Sequence, residues 1–594
     1  MCGIVGYIGS KDARSIILHG LKLLEYRGYD SAGVALQSDV DNNFHIYKDK
    51  GRVSHLEELI EFNYPCHFGI GHTRWATHGI PNYVNSHPHY SESKRFIIVH
   101  NGVIENAKKL KVEYLSKFQF RTETDTEVIV NLIELYAQKM EVKNAIRKAI
   151  SLLEGSYALL IIDTYNPELL YCAKNKTPLI IGKDDNGVII ASDTMALIGY
   201  APKYVSLDDK TFGIITKDSV SLYDIIGIEK EIVYKELSSS RENIDKGNYP
   251  HYMLKEIEEQ PGVIRRIVSS YFNEESINID SELIYEIRRS DRIYIIGCGT
   301  SYYAGMIGKH YFEKLCSIPV EVLIASEAAY NKPLFSKKPF FIFISQSGET
   351  ADSISCLKYV NSLHYPSLAL TNNIESSISR MCDYSIDLLA GPEIAVASTK
   401  AYIAQITVLS ILAKAVSNRK TNLKANLSKA ALAIEEVLQN SDIIESIADN
   451  IKDRNDVYYI GRGLDYYACL ESALKLKEIS YIHSEGYPSG ELKHGSIALV
   501  DQGFPVIAII TNEETNLITR SNLIETETRG ALGIVVSSKS NSNGDDDFII
   551  PDVASYLTPL VSVVFSQLLS YYVSIKRGND VDKPKNLAKS VTVE

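Results

Sequence analysis

The chain has 594 residues, 45% hydrophobic and 23% charged, with Lys+Arg 62 against Asp+Glu 74 and a formal net charge of −12. This is soluble globular composition, long enough for about three or four domains. The acidic balance works against phosphate backbones and anionic lipid, so neither nucleic acid nor membrane is an expected partner. The eight cysteines (Cys2, Cys66, Cys172, Cys298, Cys316, Cys356, Cys382 and Cys469) are scattered with no CxxC pair. That predicts a reduced, cytoplasmic protein with no disulfide framework and no zinc cage. No uninterrupted apolar run reaches the ~18 residues of a membrane span.

The chain opens "MCGIVGYIG", a cysteine, a glycine and a short apolar strand, without the charges and longer apolar stretch of a signal peptide. Up to about residue 238 short β-branched strands dominate ("HFGIGHTRW", "RFIIVHNG", "YALLIIDT", "GVIIASD"), with helical patterns such as "TDTEVIVNLIELYAQKM" between them. A mixed α/β sandwich fits this better than a doubly wound sheet. "ELSSSRENIDKGNYPHY" reads as a linker, and "HYMLKEIEEQP" as a helix that stops before Pro261. From about residue 284 the order becomes strand, glycine turn, helix, repeated. "DRIYIIGCGTSYYAG" is echoed by "NDVYYIGRGLDYYA", and "FFIFISQSGETADS" by "FPVIAIITNEETNL". Gly297 and Gly461 are 164 positions apart, Ser345 and Thr511 166. Two nearly equal offsets predict a duplicated α/β domain, each copy a parallel sheet with its ligand site at the carboxyl ends of the strands.

In "ISQSGETADS", Ser345, Gln346, Ser347 and Thr350 follow a strand and open a helix. Hydroxyls and free helix N–H groups converge there as a phosphate requires, although the same composition also serves a plain N-cap. Thr300 and Ser301 at a second strand-end turn favour the phosphate cradle. The second copy has "TNEET" there, and Glu513 and Glu514 repel an anion, so one copy is expected to bind and the other to lend groups. "GCGTSY" lacks the third glycine of a dinucleotide fingerprint, with Tyr302 in its place, and there is no GxxxxGK[ST]; neither NAD nor ATP is expected. "ALKLKEISYIHSEGYPSGELKHGSIAL" carries Lys475, Glu478, His483, Glu485, Glu491, Lys493 and His494. Lys475 and Glu478, at i and i+3, read either as an ordinary ion pair on a solvated helix face or as part of a proton-moving site. Lys589 in "NLAKSVTVE" is either surface decoration or an amine for a Schiff base.

Taken together, "CGIVGYIG", "GHTRWATHG", "HNGVIEN", "TDTEVI", "SQSGETADS", "VASTKAY", "GELKHG" and "NLAKSVTVE" resemble the glutamine–fructose-6-phosphate aminotransferase (isomerizing) family, in the same order from Cys2 to Glu594. The resemblance implies an N-terminal-nucleophile glutaminase sandwich (αββα) followed by two doubly wound parallel-sheet sugar isomerase (SIS) domains. The implied bounds are 2–238 for the glutaminase, 239–250 for the linker, 251–435 for the first SIS domain (core 284–423) and 436–594 for the second (core 448–584) with a functional tail. It implies that Cys2, freed of Met1, attacks the glutamine amide with its own α-amine as base, at a reference pKa of about 7.7–8.0. Asn101 and Gly102 would form the oxyanion hole. Arg74, Thr77 and His78 would hold the glutamine carboxylate, Asp125 its ammonium, and Trp75 would gate an ammonia channel.

By the same resemblance Thr300, Ser301, Ser345, Gln346, Ser347 and Thr350 bind the sugar phosphate, and Val396, Ser398, Lys475 and Ala588 line the sugar pocket. Glu478 moves the proton between C1 and C2. His494, from a neighbouring subunit, assists ring opening, which implies a homodimer. Lys589 forms the imine, so no metal and no organic cofactor is expected. Ser496 stands where proline is expected, and the long insertion of eukaryotic members is missing, which implies a bacterial-type member. A phosphoribosylpyrophosphate amidotransferase shares the Cys2 logic but not the twin domains or the signature. A sugar-phosphate sensor needs neither Cys2 nor Lys589. A deglycase of amino-sugar phosphates differs only at the far end of its substrate.

Overall fold

The computed structural model describes residues 2–61, 65–75, 79–237, 246–273 and 276–592. It divides into two compact units: residues 1–245 with 590–594, and residues 246–589.

The first unit is built on two antiparallel sheets of eight and seven strands. Its opening strand, Gly3–Gly9, runs between Phe68–Arg74 and Gly187–Ala191 in the larger sheet. Side chains alternate along it with period two. Ile4 and Ile8 enter the apolar layer shared with Ile97, Val99 and Leu160 of the second sheet. Val5 and Tyr7 point the other way, against Ile17 and Leu21 of the helix Ala13–Leu24. On the far side of the second sheet the helices Thr126–Ala137 and Val142–Ile150 cover Ile98, Leu159 and Ile161. The layers therefore run helix, sheet, sheet, helix, the mixed sandwich that the short-strand texture predicts in the layer order that the resemblance implies.

The second unit holds two five-stranded parallel sheets with the same spatial order, 2-1-3-4-5 along each copy. This is a doubly wound arrangement. The duplication extends to single dihedral angles. Gly299 (φ 52°, ψ −127°) precedes the 17-residue helix Thr300–Cys316, and Gly463 (φ 58°, ψ −123°) precedes the 17-residue helix Leu464–Ser480. Each helix is followed by a left-handed residue, Ser317 in one and Tyr481 in the other. One continuous apolar core joins the copies, drawing Ile295 and Ile342 from one sheet, Tyr459 and Ile507 from the other, and Leu409 and Phe565 from helices between them.

Two expectations change. The helix Tyr252–Glu258 does stop before Pro261, but a new helix starts at once, Gln260–Tyr271, with Pro261 in its first turn, where a missing N–H costs nothing. The segment Ser555–Lys576 is long and apolar enough to cross a membrane by length and composition. Ser562, Ser566, Gln567 and Ser570 interrupt its apolar run and hide this in the sequence. It is a core helix, with 89% of its apolar window buried inside the protein.

Candidate active site

In the first unit one end of the strand Gly3–Gly9 brings Cys2, Trp75 and Asn101 together. Gly3 pairs with Thr73 across the sheet, its N–H donating to Thr73 Oγ1 at 3.2 Å, which sets Cys2 at the strand's end. Cys2 Sγ accepts the Trp75 N–H at 3.2 Å, and the thiol lies 3.5 Å from the Trp75 carbonyl. Asn101, on the strand Phe96–Ile104 of the other sheet, donates from Nδ2 to the Cys2 carbonyl at 2.8 Å. Its Oδ1 is buried without a partner. Gly102 follows at φ +129°, and a Cβ there would stand 2.1 Å from the Ser156 carbonyl oxygen, so no side chain fits. Arg74 is buried and donates to the Gly79 carbonyl at 3.1 Å. Burial pushes the Cys2 thiol above its ordinary value, against the pull of the Trp75 N–H and the Arg74 guanidinium. Asp125 is also buried and uses Oδ2 to accept the Ile104 N–H at 2.7 Å. Thr77 and His78 lie outside the described residues.

In the second unit the strand Pro339–Ser345 lies next to Arg292–Gly297, so the turns that follow them are neighbours at the carboxyl end of the sheet. Ser345 Oγ accepts the Gly348 N–H at 3.0 Å and lies 2.9 Å from Thr350 Oγ1. Ser347 Oγ accepts the Glu349 N–H at 3.2 Å, and Asn372 N–H donates to the Gln346 carbonyl at 3.1 Å. Thr350 precedes the helix Ala351–Ser362, whose first N–H groups open on the turn. Gly348 sits at φ +67°, and a Cβ would stand 1.9 Å from Ser376 Oγ. Ser301, in the first turn of Thr300–Cys316, is held by Gln405 Nε2 at 3.0 Å. Hydroxyls and helix N-termini of this kind suit an anion.

The second copy differs at the matching place. Asp465 stands where the repeat has Ser301. Its carboxylate accepts the Thr511 N–H at 2.9 Å and the Thr511 hydroxyl, and burial raises it to about 6. The cradle is filled by the chain's own carboxylate. The helix Leu464–Ser480 of this copy instead presents Glu471, Lys475 and Glu478. Lys475 Nζ lies 2.6 Å from Glu478 Oε2, 3.4 Å from Glu471 Oε1 and 3.0 Å from Thr300 Oγ1 of the first copy. Lys475 and Glu471 are fully buried and Glu478 is half-buried, so of the two readings of Lys475 and Glu478 the solvated face does not hold. Burial raises Glu471 to about 8, and the two glutamates outweigh burial to keep Lys475 an ammonium.

Lys589 is also buried, bonded to the fully buried Glu393. Glu393 Oε2 further accepts the Ser398 hydroxyl at 2.8 Å, and Oε1 accepts the N–H groups of Thr399 and Ala401 at 2.9 and 3.0 Å. The buried Val396 donates its N–H to the Asp582 carbonyl at 2.9 Å, and Ala588 is half-buried. His494 ends the short helix Glu491–His494 and is exposed.

Residues 72–199 match the glutamine amidotransferase domain family, and residues 286–415 and 450–577 match the SIS domain family. Glutamine–fructose-6-phosphate aminotransferase [isomerizing] of Listeria innocua is 52% identical over 603 residues, covering 100% of both chains. This chain belongs to that family. The Bacillus subtilis member is 50% identical over 604 residues, again covering 100% of both. The solved C-terminal domain of glucosamine-fructose-6-phosphate aminotransferase from Francisella tularensis, 38% identical, covers 57% of this chain and 100% of its own with a TM-score of 0.55. Three buried acids beside the candidate residues of this family member escaped the sequence reading: Glu393, Glu471, and Glu256, whose Oε1 accepts the N–H groups of Ile394 and Ala395. Glu471 had a signal, standing at i−4 from Lys475. Glu393 had none, since its partner Lys589 lies 196 residues away.

Proposed function

We propose that the chain converts fructose 6-phosphate and glutamine to glucosamine 6-phosphate and glutamate. Cys2, once Met1 is removed, attacks the glutamine amide, and its α-amine takes the thiol proton and returns it to the leaving ammonia. The Asn101 side chain and the Gly102 N–H receive the developing oxyanion. Arg74, with Thr77 and His78, holds the substrate carboxylate through a fork suited to it, and Asp125 its ammonium. Trp75, hydrogen-bonded through its backbone to the nucleophile, controls the release of ammonia.

The sugar phosphate docks on Ser301, Ser345, Gln346, Ser347 and Thr350, with Thr300 beside them. Val396, Ser398 and Ala588 line the sugar. Lys589 condenses with the open-chain ketose, and Glu478, poised on Lys475, shuttles the proton between C1 and C2. The exposed His494 serves the ring-opening step of a partner subunit, so the working form is a homodimer. We place it in the cytoplasm, in keeping with eight free cysteines. The observation that carries the reading is the Lys589 side chain, only 3% exposed and bonded to a carboxylate, which surface decoration does not explain.

The test supplies glutamine and fructose 6-phosphate to the purified protein and quantifies glutamate and glucosamine 6-phosphate together. Equal yields are expected. Cys2→Ala should abolish glutamine-dependent synthesis. Lys589→Ala should abolish the amino sugar while some glutamine hydrolysis persists. Glutamate without amino sugar from wild type would overturn the acceptor half.

A further inference from the structure

A lysine can attack a ketone only through a free lone pair, yet Lys589 Nζ is ion-paired to the Glu393 carboxylate. Imine formation therefore needs a group that takes a proton from Nζ and later gives one to the departing oxygen. Solvent is poorly placed for this, since the Lys589 side chain is 3% exposed and that of Glu393 fully buried. Glu393 is fixed from the other side. Its Oε1 is tied to the N–H groups of Thr399 and Ala401, which leaves Oε2 for Lys589 and the Ser398 hydroxyl. The next residues are anchored as well, because Glu256 Oε1 accepts the N–H groups of both Ile394 and Ala395.

We propose that Glu393 is the proton carrier for imine formation at Lys589, a role that rests on Lys589 being the imine-forming residue. Glu393 Oε2 takes one proton from Nζ, and the amine lone pair bonds to the ketose C2 while the carbonyl electrons move to oxygen. One proton from nitrogen neutralises that oxygen, giving the carbinolamine. The Glu393 proton then goes to the hydroxyl, the C–O bond breaks and water leaves. A protonated imine faces a carboxylate once more, so charge and atoms balance and the ion pair is restored.

The charges around Glu393 are consistent with this. Lys400 is matched by Glu259 at 2.5 Å, Lys475 by Glu478, and Lys589 by Glu393. Glu256 is raised to about 8 by burial and by Glu393, so it enters as a neutral carboxyl. Burial alone would raise Glu393. The Lys589 cation, with the bonds from Lys589, Ala401 and Thr399, reverses this to about 2. When the amine commits its lone pair to carbon the cation disappears, and burial is left to favour a protonated Glu393.

The test uses the full-length enzyme without glutamine. Fructose 6-phosphate is added, borohydride reduces any imine, and the mass of the C-terminal peptide gives the rate of adduct formation on Lys589. Glu393→Gln should form adduct at least about 100-fold more slowly, the usual scale of a positioned acid–base group. Its residual rate should rise about tenfold per pH unit between pH 6.5 and 8.5, as free amine must come from solution. The wild-type rate should stay flat over that range. Glutamine hydrolysis at Cys2, read separately, should be unchanged. Glu393→Asp keeps a carboxylate, and should keep the flat profile at a reduced rate even if the glutamine variant binds sugar poorly. Wild-type adduct rates in Glu393→Gln, or a rising profile in Glu393→Asp, would overturn the proposal. Failure of wild type to form any adduct on Lys589 would instead overturn the Lys589 reading, and this proposal with it.

Discussion

Four histidines lie buried behind the glutaminase site, and three of them, His72, His87 and His89, set how the first unit responds to acid. His72 and His87 stack with ring centroids 4.1 Å apart, and His89 meets His87 edge-on at 4.5 Å. His72 Nε2 bonds to the His100 carbonyl at 3.0 Å, and His87 Nδ1 accepts the His100 N–H at 3.3 Å. Burial, the neighbouring rings, Lys48 and Arg74 all disfavour a proton. His72 falls to about 3, and His87 and His89 lie well below the usual 6.5. The folded state thus binds fewer protons than the unfolded chain below pH 6.5. Stability is full above that pH and is lost as pH falls, for His72 down to about 3. Each such histidine costs about 1.4 kcal/mol per pH unit in that window, or about 2 kcal/mol at pH 5. Even His72 alone is a sizeable share of a typical 5–15 kcal/mol total. Trp75, the chain's only tryptophan, reports this unit by its fluorescence in urea titrations at pH 7.5, 6 and 5. Wild type should lose at least about 2 kcal/mol between pH 7.5 and 5, and His89→Gln should lose less. Equal stability at pH 5 and 7.5 would refute the reasoning.

Asn101→Ala removes one side-chain donor beside Cys2, so glutaminase kcat should fall by about 10²–10³-fold with little change in KM, measured as glutamate release. Gly348→Ala puts a methyl against Ser376 in a left-handed turn, and should raise the KM for fructose 6-phosphate while leaving glutamine hydrolysis intact. Lys475→Met strips the partner from two acidic groups. It should abolish isomerisation and destabilise the second unit by about 3–5 kcal/mol, read as a lower calorimetric transition. The loss should be greater above about pH 8, where Glu471 would be ionised and left without its partner.

Much of this was legible in the residues. Strand periodicity in "CGIVGYIG", the glycines at 299 and 463 and the equal repeat offsets express local backbone geometry, which composition and spacing carry. The depth of Lys475 was not legible, because the i, i+3 spacing of Lys475 and Glu478 is the same on a wet helix face and in a core. Only the packing of Leu464–Ser480 against Thr300–Cys316 decides it, through the bond from Lys475 to Thr300. Glu393 and Glu256 were hidden for a related reason. Each is an ordinary acid in its own stretch, and each gains meaning from chain far away. The segment Ser555–Lys576 went unnoticed because serines on a helix can satisfy their hydroxyls on its own carbonyls, as Ser570 does on Ser566, and so sit in a core that their polarity seems to forbid.

The carboxylate of Asp465 also bears on how a duplicated fold divides its labour. Where the first copy offers serine hydroxyls to a visitor, the second has installed a permanent tenant one side chain long, already bonded to Thr511. A twin retired in this way needs no guest to be complete. Its helix is then free to act as a fixed arm, carrying Lys475 and Glu478 across to its sibling's doorway. On the proposed function, the difference between Ser301 and Asp465 at one repeat position separates the copy that receives from the copy that equips.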